Sequence, residues 1–466
     1  MINGIAKYYG VVCSLIISSI LSRILNAEEY GIVAMITVFI NFFSIFSDMG
    51  FGAAYIQNRD LDQEDRDDIF SFLVYTGIIL FILFYFFSYV IAWFYNDDVY
   101  LRVSQTLGVV LFLNAVNVIP YSDLLKKHEF IKAGSIQMLS ISLSSIAALI
   151  LGKIGFSYYA IVFQSIINLL FQVIAFVTLA KVRFKVRFHM ASIRKVAGFS
   201  AGQLTFNIIN YFSRNIDNLL IGKFFGNQQL GYYDKAYKTS TYPISNFSSI
   251  IGSSIHPVLS KKQNDKEGIY DTFRKVFLFL VIVGGFISVF LSLSSKEVIR
   301  ILYGNHWDES ILPFSYLALS LYAQMSLNIV GPFYQVLNNT KLLAVSGLIS
   351  SFLLVGGILI GMSFKTIKMV ACCYLIAQSI NFIVTIYIME NHLFQISMKG
   401  LKIKIIKVLV ASLLSYLIAL SVSSHFVFEN LLVSALFKGV VIMTCYMALI
   451  ILLGLKNDLL IMVKNR

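Results

Sequence analysis

Charge is scarce in this chain. Only 13% of its 466 residues are Asp, Glu, Lys or Arg, against 58% hydrophobic, a balance no soluble globular domain shows. Cysteine is scarcer still. Cys13, Cys372, Cys373 and Cys445 all fall inside apolar segments, which excludes a disulfide framework and a CxxC metal site. The six histidines, His128, His189, His256, His306, His392 and His425, are scattered, with no HExxH and no pair at ligand spacing. No Walker loop is present, so ATP hydrolysis by the chain is not expected. No outer loop is long enough to hold a catalytic domain. These gaps argue against an enzyme and against a metal or other cofactor.

What is present is apolar sequence in blocks of about 20 residues, enough for a helix to cross a bilayer. Fourteen spans are expected, at about 5–25, 31–57, 69–95, 101–125, 131–153, 155–180, 196–225, 230–257, 271–295, 309–338, 340–362, 366–390, 402–423 and 430–454. The first lacks an A-x-A-like cleavage site and runs into a second span, so it reads as a retained helix and not a signal peptide. The fold class is an all-α polytopic membrane protein. The net charge of +13 fits basic cytoplasmic loops better than nucleic-acid binding. With both termini inside, 25 of the 37 Lys and Arg residues fall on the inner side and 8 on the outer, which orients the chain.

The sequence also repeats at an offset of 200. Arg23-Ile-Leu-Asn-Ala-Glu-Glu-Tyr-Gly31 lies over Lys223-Phe-Phe-Gly-Asn-Gln-Gln-Leu-Gly231, and Gly52-Ala-Ala over Gly252-Ser-Ser. Gln63-Glu-Asp-Arg-Asp-Asp-Ile-Phe70 lies over Gln263-Asn-Asp-Lys-Glu-Gly-Ile-Tyr270. Six spans separate the copies, so the repeat is parallel, as in secondary transporters that bind substrate between two halves. The expected organisation is a six-helix lobe at 1–180, a basic linker at 181–195, a second six-helix lobe at 196–390, and two further helices with a tail at 391–466. The charged loops 58–68 and 258–270 read as solvated turns in preference to a gate. The linker and 399–407 read as ordinary inside loops, with anionic lipid headgroups the alternative ligand. Pro243 and Pro332 are expected kinks.

Within this apolar chain one helix carries Asn207, Asn210, Arg214 and Asp217 at spacings that share a face. Lys235 and Lys238 open the next span. An ionised group at the bilayer centre costs about 2.5–3.5 kcal/mol on insertion scales, so charges kept there commonly line a polar interior. Arg214, Lys235 and Lys238 are therefore a candidate anion cluster, Arg being suited to phosphate by its planar fork. The competing readings are a local Arg214–Asp217 couple and lysines that snorkel outward, as Arg23 and Lys223 are expected to do. Other polar faces are Thr37, Asn41, Ser44 and Asp48; Gln164, Asn168 and Gln172; Gln324, Asn328, Gln335 and Asn338; and Gln378, Asn381 and Thr385. Singly these suit interhelical hydrogen bonds; together they suit a hydrated cavity. Gly50-Phe-Gly52 has the look of a dinucleotide loop but sits at a span's end without a βαβ context.

Asp48-Met-Gly-Phe-Gly-Ala-Ala-Tyr-Ile-Gln57 and the stretch Arg214-Asn-Ile-Asp-Asn-Leu-Leu-Ile-Gly-Lys-Phe-Phe-Gly-Asn-Gln-Gln-Leu-Gly-Tyr-Tyr233 resemble the polysaccharide transporter family. His256-Pro257 with Leu-Ser-Lys, and Leu302-Tyr-Gly-Asn-His-Trp307, add to the likeness. This is the Wzx/WzxC-like oligosaccharide flippase family of the multidrug/oligosaccharidyl-lipid/polysaccharide (MOP) superfamily, and the resemblance covers nearly the whole chain. The N-terminus is short beside the family pattern.

The resemblance implies two lobes of alternating opening, and a cargo of undecaprenyl-diphosphate-linked oligosaccharide moved across the bacterial cytoplasmic membrane by a proton or sodium gradient. It also implies a lipid-tail groove at the last two helices, for which plain packing is the rival. On that reading Arg214, Lys235 and Lys238 meet the diphosphate, and Asn41, Gln164, Asn207 and Asn210 the sugar. Asp48 and Asp217 couple the ion, since a buried carboxylate can take up a proton or cation. A polysaccharide polymerase and a chain-length regulator are further candidate partners. The alternatives are a multidrug exporter of the same superfamily, for which the buried charge has the wrong sign, and a membrane polymerase or ligase.

Overall fold

A backbone in hydrocarbon must satisfy its polar groups internally, which for this pattern means helices. The computed structural model describes residues 2–244, 259, 265–426, 428–456 and 458, and among them there is no β-strand. Ten of the described helices have the length and apolarity to cross a membrane, and Tyr8–Leu21 is a shorter apolar one. The count of fourteen is not confirmed, in part because much of the eighth expected span lies outside the described residues. The chain divides into two compact units, Met1–Gly231 and Tyr232–Arg466.

The first unit contains α1 (Ile2–Leu21), α2 (Ala27–Asp48), α3 (Phe51–Gln57), α4 (Gln63–Tyr95), α5 (Val99–Lys126), α6 (Phe130–Lys153), α7 (Tyr159–Ala180) and most of α8 (Met190–Pro243). Capping boxes start two of them, Asn26 with Glu29 on α2 and Asp62 with Asp65 on α4, each satisfying two otherwise orphaned amides. The expected single span 31–57 is broken. Met49 (φ 48°) and Gly50 (φ 77°) take left-handed conformations in succession, which interrupts the helical ladder and separates α2 from α3. Likewise α8 breaks at Gly226 (φ 84°, ψ 175°). Gly226 is the repeat counterpart of Asn26, so the helix restarts at 227 as it starts at 27.

The charged stretch 58–68 is a solvated turn only in its first part: Arg59, Asp60, Asp62 and Glu64 are exposed, and the rest opens α4. Asp65, Arg66, Asp67 and Asp68 are all buried. Arg66 pairs with Asp67 at 2.8 Å, lies 3.7 Å from Asp123, and donates to the carbonyls of Ala180 and Lys181 at 3.3 Å each. It thereby caps the C-terminal end of α7, whose last carbonyls have no helical partner. Lys185 bonds Asp68 at 2.9 Å and Lys195 bonds Asp65 at 2.6 Å, and these bonds hold both lysines protonated beyond the usual range. The acidic side chains are in this way consumed by the basic linker.

The second unit contains α9 (Lys266–Leu293), α10 (Ser295–Tyr303), α11 (Ile311–Leu319), α12 (Leu321–Leu327), α13 (Val330–Val336), α14 (Thr340–Ser363), α15 (Ile367–Ile388), α16 (Lys399–His425) and α17 (Leu431–Leu452). The span expected at 309–338 is three short helices, with breaks at Ser320 and at Asn328–Ile329. Pro332 sits in the first turn of α13, where a missing amide costs little, so it starts a helix instead of bending one. The core is aromatic: Phe273 packs on Phe277, Phe333 and Phe394 with ring centroids 5.0–5.3 Å apart. The two last helices dock on α9, where Tyr446 donates to the Ile282 carbonyl at 2.7 Å. Lys438 pairs with Glu297 at 2.7 Å.

Candidate functional site

The break after Asp48 builds a cavity. It lies in the first unit between the end of α2, the start of α3 and the C-terminal half of α5, and holds about 470 Å³. Ser44, Ser47, Asp48, Gly52, Asn114, Asn117, Tyr121 and Ser122 are among the residues that line it. The Asp48 carboxylate accepts from the Gly52 amide at 3.3 Å. A Cβ on Gly52 would come within 2.9 Å of the Ser122 hydroxyl and 3.3 Å of the Asp48 carboxylate. The Gly50-Phe-Gly52 motif is thus explained by a helix break and a close approach.

From this cavity a polar ladder crosses the helices. Asn114 donates to the Ser44 hydroxyl at 3.2 Å and Asn117 to the Gln172 carbonyl at 3.3 Å. Gln172 in turn donates to Asn168 and to Ser140, both at 3.1 Å. Asn117 Oδ1 is buried without a partner among the described residues, which leaves an acceptor for a hydroxyl. An amide- and hydroxyl-lined cavity with one carboxylate suits a polyhydroxylated ligand or a cation in exchange for a proton. Asn114 and Asn117 were not singled out from sequence. Their signal was available in the 3- and 4-residue steps from Asn114 to Asn117 to Tyr121 along α5.

The other expected site residues separate. Asn41 is exposed on the α2 face that also carries Asp48, seven residues or about 10 Å along the helix. Gln164 is half-buried on α7. Asp217 is buried in the first unit and accepts from the Asn218 amide at 2.9 Å. The side chains of Asn207, Asn210 and Arg214 lie outside the described residues, although the backbone of all three is helical. Lys223 lies over the Phe94 ring at 4.5 Å, at the end of α4.

Lys235 and Lys238, in the second unit, do not share an environment. Lys238 has 57% of its side chain exposed and bonds Asp234 at 2.8 Å. Lys235 is 3% exposed, with its ammonium 4.6 Å from the Tyr303 ring and 5.4 Å from Trp307, the geometry of a cation–π contact. Thr239, one turn on, shares a 2.8 Å hydrogen bond with Tyr303. In the 200-residue register Lys235, Tyr303 and Trp307 correspond to Met35, Val103 and Leu107, all buried and apolar in the first unit. Asp234 went unnoticed in the sequence; it neutralises one charge of the expected cationic pair.

The comparisons with known proteins agree with this architecture. The chain is 27% identical to the teichuronic acid biosynthesis protein TuaB of Bacillus subtilis (strain 168) over 291 residues, 60% of this chain and 58% of TuaB. It is 21% identical to the lipopolysaccharide biosynthesis protein WzxC of Escherichia coli (strain K12) over 395 residues, 83% of this chain and 79% of WzxC. The match thus spans less than two thirds of TuaB and more of WzxC. Among solved structures, the lipid II flippase MurJ in its inward closed conformation superposes with a TM-score of 0.77 at 15% identity, covering 96% of this chain and 97% of that one. That likeness is one of fold. These proteins are named for transport and polysaccharide biosynthesis and not for catalysis. A family model described as polysaccharide biosynthesis protein matches residues 20–312, and the chain belongs to that family.

Proposed function

We propose that the protein moves an undecaprenyl-diphosphate-linked oligosaccharide repeat unit across the bacterial cytoplasmic membrane. The movement is alternating access driven by a proton or sodium gradient, with both termini in the cytoplasm, and it feeds assembly of a surface polysaccharide. The observation that carries the reading is the Asp48 cavity with its amide ladder, a polar surface among α2, α3 and α5 of a polysaccharide biosynthesis family member. Asp48 couples the ion, because its carboxylate sits in that cavity with the backbone of Gly52 and Gly50 for partners. Asp217 is the second coupling carboxylate. Asn41, Gln164, Asn207 and Asn210 contact the sugar together with Asn114 and Asn117. Arg214 and the exposed Lys238 meet the diphosphate, and Lys235 joins them in a conformation that lifts it from Tyr303 and Trp307. The partners of this reading are a polysaccharide polymerase and a chain-length regulator.

The test is complementation of a strain deleted for this chain. The deletion is expected to lose surface polymer and to accumulate lipid-linked repeat units on the inner leaflet, and the intact chain to restore both. Lipid-linked units accessible at the outer leaflet of the deletion strain, but unpolymerised, would identify a polymerase and overturn the proposal.

A further inference from the structure

The linker between α7 and α8 has a surface that the transport reading does not use. It begins beside Arg66, which holds the Ala180 and Lys181 carbonyls. It then runs down α4: the Lys185 amide donates to the Ser71 hydroxyl at 2.8 Å, and Tyr75 donates to the Val186 carbonyl at 3.0 Å. The rings of Phe184 and Phe188 lie 5.6 and 5.9 Å from that of Tyr75. It returns to the start of α4, where Ser192 bonds Asp68 at 2.9 Å and Lys195 bonds Asp65. From Arg66 to Tyr75 is nine residues, about 14 Å along the helix axis. The strap therefore dips from the charged end of α4 to the level where its apolar run begins, Ile69-Phe-Ser-Phe-Leu-Val74.

Its side chains sort by role. Lys185 and Lys195 neutralise buried aspartates. Lys181, Arg183, Arg187 and Arg194 are exposed and make no ion pair among the described residues. Between and beside them Val186 is 75%, Met190 58% and Phe184 48% exposed. An irregular strap facing bulk water gains nothing from three such apolar side chains. At a bilayer interface the same mixture is favourable, because apolar groups enter the acyl boundary while guanidinium groups stay at the phosphates. Each arginine can grip two phosphate oxygens.

We propose that this strap binds the phosphate of anionic phospholipids, with Arg183 and Arg187 as the headgroup contacts and Phe184 and Val186 seated among the acyl chains. The partner is the bulk anionic lipid of the membrane, so the surface anchors the first unit at the interface, apart from any cargo.

The test uses the purified full chain in neutral detergent, titrated with short-chain phosphatidylglycerol or phosphatidylcholine and read by native mass spectrometry. Phosphatidylglycerol is expected to bind and phosphatidylcholine not. The double variant R183Q/R187Q should lose roughly 30-fold in phosphatidylglycerol affinity, about fivefold per cation squared. Val186→Asp, at a side chain 75% exposed from the protein, should weaken it in the same direction. K365Q/K368Q, which removes two basic residues of the second unit, should leave it unchanged. Equal binding by the wild type and R183Q/R187Q overturns the proposal, as does an equal loss in K365Q/K368Q. Undecaprenyl diphosphate is the second probe: if R183Q/R187Q loses that ligand while keeping phosphatidylglycerol, the strap is a cargo site and the proposal fails.

Discussion

Gly31 and Gly231 occupy the same place in two copies of one segment, and each meets the backbone of the other copy. A Cβ added to Gly31 would lie 1.8 Å from the Asn227 carbonyl oxygen, and one added to Gly231 would lie 1.9 Å from that of Ala27. Ala27 and Asn227 are themselves repeat counterparts. The contact is reciprocal, so the 200-residue register seen in sequence is also the register in which the two helix starts cross. Tyr100 adds a hydrogen bond to the Asn227 side chain.

Any side chain at this crossing forces the two backbones apart. Gly31→Val and Gly231→Val are each expected to destabilise by at least about 2 kcal/mol, within the range for overpacking. Both should fail to complement the deletion strain. Gly347→Ala is the contrast: no atom lies within 4 Å of its Cβ position in α14, and the exchange should be neutral or stabilising by up to about 1 kcal/mol. Thermal unfolding in detergent, followed by size-exclusion fluorescence, reads all three. A Gly31→Val protein as stable as the wild type would contradict the close crossing.

Asp48→Asn keeps an acceptor for the Gly52 amide and removes the negative charge. Its unfolding midpoint should stay within a few degrees of wild type while complementation falls at least tenfold. Full surface polymer at normal protein level would remove Asp48 from the mechanism.

Arg66→Ala leaves Asp67 and the α7 carbonyls without their buried partner. Stripping one member from a buried pair costs about 3–5 kcal/mol, so the variant should be poorly folded or extracted in low yield. Arg66→Lys supplies the charge but not the planar fork, and an intermediate midpoint is expected. Midpoints equal to wild type in both variants would mean the clasp contributes nothing.

Arg300 holds Asp308 at 2.5 Å and keeps its carboxyl below the usual value of 3.8. A depressed carboxylate adds stability that is present above pH 3.8 and fades as pH falls through the lower folded value. Both side chains are partly solvated, so the pair is worth no more than about 1 kcal/mol. Arg300→Gln should therefore lower the unfolding midpoint slightly between pH 5 and 8, and the difference should shrink as pH falls below 3.8. A difference that grew on acidification would reverse the sign and reject the assignment.

The two tryptophans give an optical check. Trp93 is 76% exposed on α4 and Trp307 is fully buried beside Lys235. Brominated phospholipid should quench Trp307→Phe protein, which retains Trp93, several-fold more than Trp93→Phe protein. Equal quenching would place Trp307 at the lipid surface, against its packing on Tyr232 and Tyr303.

Composition and period alone determined that this is an all-helical, multi-pass membrane protein, because hydropathy and helical spacing are local properties a few residues wide. The same locality gave Asp48 a polar face. Only the tertiary structure decided where charge ends up. Arg66 finds Ala180, 114 residues away, and the acidic run that opens α4 becomes a buried clasp where a solvated turn was expected. Lys235, alike in sequence to Lys238, is sealed under Tyr303 and Trp307 while its neighbour three residues on stays in the open. A side chain's surroundings are set by helices distant in the chain, and burial, which fixes whether a charge pairs, stacks or meets a ligand, cannot be read from the residues on either side of it.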